Sequence, residues 1–143
     1  MNKKKRRLAV VLAAVTGSAV LVLSGCSGKS EQTEKTLRVG VITYSQDDPF
    51  INGLTEELKV QLKAMENKQR RIIVSTKSGN DDQQEQNEKV EEMIDAGCDV
   101  LCINLVDRTA PSRIVRMARN EDIPVIFFNR EPVREDLMQW EKL

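Results

Sequence analysis

The chain has 143 residues, enough for one small domain, and carries 22 basic against 22 acidic side chains with no histidine. Without histidine, the commonest zinc ligand and the usual general base beside a serine or cysteine nucleophile are both missing. The charge balance hides an asymmetry: residues 1–25 hold five of the cations and no acid, so the remainder is acidic by five charges, which disfavours a nucleic-acid partner.

Asn2–Arg7 reads NKKKRR, and Leu8–Leu23 then runs without a charge. That run is short for a membrane-spanning helix and suits the apolar region of a secretory signal. It ends at Leu23-Ser24-Gly25-Cys26, which is similar to a bacterial lipobox, where the signal is cut before the cysteine and the thiol takes lipid. A plain signal with a chance cysteine, or a short membrane anchor, is the alternative. The expected organisation is a lipoprotein signal peptide at 1–25, a lipidation site at Cys26, a polar lipid-anchored tether at 26–36 and a folded lobe at 37–143.

From Leu37 the pattern alternates. Leu37–Thr43 is β-branched and apolar, a strand. Phe50, Leu54, Leu58, Leu62 and Met65 follow at helical spacing, with Asp48 placed to cap the helix and Pro49 at its first position. Arg71–Thr76 is a second strand, and 77–81 a turn-rich loop. Asp82-Gln83-Gln84-Glu85 fits a capping box for a helix to Ala96, thinly apolar at Val90, Met93 and Ile94 and closed by Gly97. The segment DDQQEQNEKVEEM otherwise has the composition of a solvated helix face. Asp99–Asn104 is a third strand. Pro111 opens a third helix with Ile114, Val115 and Ala118 inward, and VIFF after Pro124 is a fourth strand ending at Asn129. Glu131–Leu143 is helical or irregular, with Trp140 a packing residue. Cys98 and Cys102, four apart in extended chain, stand ~13 Å apart, too far for a disulfide, and are expected as small buried hydrophobes.

This order predicts an α/β fold with a doubly wound parallel sheet, whose ligand crevice lies beyond the carboxyl ends of the strands. Four loops emerge there, at 44–48, 76–81, 104–110 and 129–134. None has the glycine pattern that cradles phosphate. The first offers carboxylates instead, which suits a neutral polyhydroxyl ligand, with an aromatic ring as a plate for the C–H face of a sugar. Each candidate also has an ordinary structural role. Asp48 serves as a helix cap, Phe50 as a core residue and Asn104 as a turn former.

The runs VGVITYSQDDPF, SGNDDQQEQNEKVEEMIDAGCDVLCINLVD and IPVIFFNREP resemble the galactose/glucose-binding proteins of bacterial ABC transporters, in the ribose-type branch of the type I periplasmic binding proteins. The resemblance spans about Leu37–Leu143 and makes this the N-terminal sugar-binding lobe of such a fold. It implies that Asp48 bonds sugar hydroxyls, Phe50 stacks on the pyranose, Asn104 contributes an amide and Tyr44 lines the crevice. Asn129 and Arg130 are expected to brace its rim. Galactose or glucose and the ABC permease subunits are the implied partners, no nucleic acid is involved, and lipid on Cys26 ties the chain to the outside of the membrane. No cofactor belongs to this chain, because the family's calcium loop falls beyond Leu143, as do the second lobe and hinge. The chain is therefore expected to be truncated and, alone, to bind sugar weakly or not at all. The competing classes are a cofactor-dependent enzyme on a flavodoxin-like or Rossmann-like sheet, and a sugar-responsive regulator, which would need a basic helix-turn-helix where residues 1–36 offer a signal and a tether.

Overall fold

A computed structural model describes residues 35–133. The elements run β1 (Lys35–Thr43), α1 (Pro49–Ala64), β2 (Arg70–Ser78), α2 (Gln83–Asp95), β3 (Val100–Ile103), α3 (Ser112–Asn120) and β4 (Val125–Phe127). All strands are parallel, in the order β2-β1-β3-β4. β1 begins at Lys35, so the last two residues assigned to the tether are the first two of the sheet. The signal, Cys26, the rest of the tether, Trp140 and most of the Glu131–Leu143 segment lie outside the described residues. Among the described residues no helix is long and apolar enough to cross a membrane.

Side chains alternate across a strand, so this sheet has two apolar faces. On one, Leu58 and Leu62 of α1 cover Val39, Val41, Ile72 and Cys102. On the other, α2 and α3 bring Val90, Met93, Ile114 and Ala118 onto Ile42, Leu101 and Ile103. Cys98 and Cys102 are free and buried, one in each cluster. The chain leaves β1 toward β2 on one side and returns to β3 on the other. The topological switch point therefore falls between the carboxyl ends of β1 and β3.

The apolar stripe of α1 differs from the expected one. Ile51 and Thr55 are buried, Leu58 and Leu62 partly so, while Phe50 (65 % exposed) and Met65 face solvent. Each four-residue step overshoots a 3.6-residue turn by about 40°, so a run spaced four, four, four slides off one face. The helix buries Ile51, Thr55, Leu58 and Leu62 instead, a line spaced four, three, four that stays on one face. Helix α2 ends in a Schellman turn, in which Gly97 (φ +77°) donates to the Ile94 carbonyl and the Cys98 N–H to that of Met93. Its capping box forms by half. Asp82 accepts from the Glu85 N–H, but Glu85 Oε1 accepts from Asn80 Nδ2 instead of returning to the cap.

Candidate functional site

β1 delivers Tyr44 to the switch point. Its N–H donates to Asn104 Oδ1 (3.3 Å), and its carbonyl accepts from the Asp81 N–H (2.8 Å). The loop then doubles back, so that the Tyr44 hydroxyl donates to Asp48 Oδ2 at 2.6 Å. The other carboxylate oxygen, Oδ1, accepts the N–H groups of Phe50 (2.8 Å) and Ile51 (3.3 Å). Asp48 is thus a helix cap with one oxygen and a partner of the crevice phenol with the other. The Tyr44 hydroxyl and the two helix N–H groups favour the charged carboxylate and hold its pKa below the ordinary value. The same bond raises the Tyr44 pKa, because ionised Tyr44 would face a carboxylate instead of donating to it. Phe50 projects at the start of α1, 65 % exposed, too open for the core role its spacing suggested.

Asn104 directly follows β3, where the strand pattern put it, but its side chain turns inward. It is wholly buried, with its amide nitrogen donating to the Phe128 carbonyl and to Asn129 Oδ1, both at 3.1 Å. Its oxygen takes the Tyr44 N–H. Both amide hydrogens are committed, so the side chain ties the ends of β1, β3 and β4 together and positions the residues that do reach the surface. Two of those were read from sequence only as rim braces. Asn129, at φ 56°, is exposed, with its oxygen held by Asn104 and its amide nitrogen left over. Arg130 lays its guanidinium 4.3 Å from the centroid of the Tyr44 ring and donates from Nη2 to the Val106 carbonyl, while its buried Nε has no partner. The signal for both was their place directly after β4, at the same level as Tyr44 and Asn104.

Sequence reasoning also missed the residue that supports these loops from below. Gln86, in the segment read as a solvated helix face, is wholly buried. Its Nε2 donates to the carbonyls of Asn104 (2.9 Å) and, at longer range, Thr43 (3.4 Å), and its Oε1 accepts the Val106 N–H (3.0 Å). Gly79 passes so close that a Cβ there would meet Gln86 Cβ at 2.7 Å. No group of side chains suited to hold a metal ion exists among the described residues. The assembled surface is a carboxylate, a phenol, an exposed ring, an amide and a guanidinium at the end of a parallel sheet. It can exchange several directional hydrogen bonds with hydroxyl groups and offer them an apolar plate.

Comparison with known proteins gives a consistent picture. The family described as the periplasmic binding protein domain matches residues 39–139. The D-galactose/methyl-galactoside binding periplasmic protein of Haemophilus influenzae is 30 % identical over 105 residues, 73 % of this chain and 30 % of that protein. An ABC transporter solute-binding protein from Mycobacterium smegmatis, solved with bound glycerol, superposes with a TM-score of 0.59 at 27 % identity, covering 70 % of this chain and 33 % of its own. Another from Clostridium phytofermentans, solved with β-D-glucose, gives 0.55 at 25 %, covering 62 % and 26 %. The chain thus spans about a third or less of the length of these relatives.

Proposed function

Because the chain belongs to the periplasmic binding protein family, whose members matched here are solute-binding proteins and not enzymes, we propose that it supplies one face of a monosaccharide site of an ABC importer, with galactose or glucose as ligand. The Tyr44–Asp48 bond carries this proposal. It sets a charged carboxylate and a phenol at the switch point of a parallel sheet, where neutral hydroxyls find both donors and acceptors. Phe50 provides the stacking plate beside it, Asn129 and Arg130 add donors from the end of β4, and Asn104 positions the group. Nothing in this chemistry requires a metal or cofactor. A secretory signal over residues 1–25, lipid on Cys26 and docking to membrane permease subunits complete the proposal, and place the protein outside the cytoplasm.

An NMR titration of the isotope-labelled chain with D-galactose and D-glucose tests it. Millimolar sugar is expected to shift the amide signals of Tyr44, Asp48, Phe50 and Asn129, because a single face leaves a sugar half solvated. The Asp48→Asn variant is expected to lose the response. No shift at these residues up to about 100 mM sugar, equivalent to a binding free energy near −1.4 kcal/mol, would refute the assignment. In cells fed a labelled fatty acid, the parent chain is expected to take up label and the Cys26→Ser variant to take up none, and equal labelling of the two would refute the anchor.

A further inference from the structure

A second polar depression lies on the flank of the lobe, between α1 and the carboxyl end of the edge strand β2. It is a cleft of about 250 Å³. Thr55 forms part of its lining from the buried side of α1, 6 % exposed, and its Oγ1 is buried without a hydrogen-bond partner. A threonine on the sheet-facing line of a helix ordinarily gives way to an aliphatic residue, since an unpaired hydroxyl is costly there. The other walls are hydroxyl and amide groups. Thr76 and Ser78 stand on β2, and the Ser78 hydroxyl accepts from Asn80 N–H with its own proton uncommitted. Asn52 donates through Nδ2 to the Gln46 carbonyl (2.8 Å), which leaves its amide oxygen as an acceptor. Lys59, which lines the cleft from α1, is matched there by Glu56 at 2.6 Å. Lys77, which also lines the cleft, turns its ammonium to Glu92. A cleft rich in hydroxyls with compensated charges selects against ions.

We propose that this cleft is a second binding site, separate from the Tyr44–Asp48 crevice, for a small neutral polyol whose hydroxyl pairs with Thr55 Oγ1. The test is an amide NMR titration of the full isotope-labelled chain with glycerol, and in parallel with inorganic phosphate. Glycerol is expected to shift Asn52, Thr55 and Thr76 saturably. Thr55→Val, close in shape, is expected to weaken that response about tenfold. Thr76→Val, which alters only an exposed wall, is expected to weaken it as well and guards against a folding artefact. The proposal is overturned if glycerol shifts only Tyr44, Asp48 and Phe50, if both variants respond as the parent chain does, if phosphate gives the stronger response, or if nothing shifts. A glycerol response at the cleft with no sugar response at the crevice supports this site while removing the sugar assignment, so the two proposals fail separately.

Discussion

Asp48 joins two tasks in one carboxylate, and they separate by substitution. Asparagine caps a helix nearly as well as aspartate, so Asp48→Asn is expected to keep the thermal midpoint close to that of the parent while abolishing the sugar response. The pH dependence has a defined sign. The folded pKa of Asp48 lies below its ordinary value of 3.8, so its stabilisation is complete above that value and is lost as pH falls through the lower, folded one. The difference in urea midpoint between the parent and Asp48→Ala should therefore be full at about pH 6 and become smaller as the pH falls below the ordinary carboxylate value and the group is protonated. Phe50 shows the opposite division. Being 65 % exposed, its truncation to alanine is expected to change stability by no more than about 0.5 kcal/mol, with loss of the galactose-dependent shifts at Tyr44 and Asp48. A large loss of stability in denaturant unfolding would return Phe50 to the core.

Strand β2 is an edge, and free edges invite pairing with other chains. The end of α1 covers part of it. Glu66 Oε1 accepts the Ile72 N–H at 2.7 Å, and Lys63, paired with Glu66 at 2.7 Å, donates to the Ile72 carbonyl at 3.2 Å. The two side chains thus occupy both backbone groups that Ile72 turns away from β1. Glu66→Ala is expected to accelerate hydrogen exchange at Ile72 by about tenfold or more, leaving Val39 and Val41 in the adjacent strand unchanged. Equal protection in the variant would show that the edge does not depend on this pair. Helix α2 repeats the theme with buried chemistry. Gln86→Leu preserves volume but strips partners from the Asn104 carbonyl and the Val106 N–H, at a cost of about 3 kcal/mol in denaturant unfolding. An unchanged midpoint would mean that those backbone groups find other partners.

At the scale of the whole lobe, the packing beneath α2 has one crowded centre. A methyl group at Gly40, in the middle of β1, would meet Leu101 Cδ2 at 2.9 Å and Cys98 Sγ at 3.1 Å. Gly40→Ala is expected to destabilise the lobe by about 2 kcal/mol, seen as a lower urea midpoint with an unchanged slope. The fold class was legible in sequence because it depends on periodicity. Val39, Val41, Leu101 and Ile103 are apolar wherever they are placed, and strands separated by helices pack as a parallel sheet by the geometry of right-handed crossovers. Asp48 was legible as well, since capping is a local interaction between a residue and the next turn of its own chain. Gln86, Arg130 and the burial of Asn104 were not, because each is settled by contacts between residues 18 to 60 positions apart, for which local propensity carries no information. The sequence by itself therefore determined the order of elements and the carboxylate that caps α1. Only the tertiary structure decided which polar groups reach solvent and which are consumed in holding the loops, since that depends on where separate strands end relative to one another.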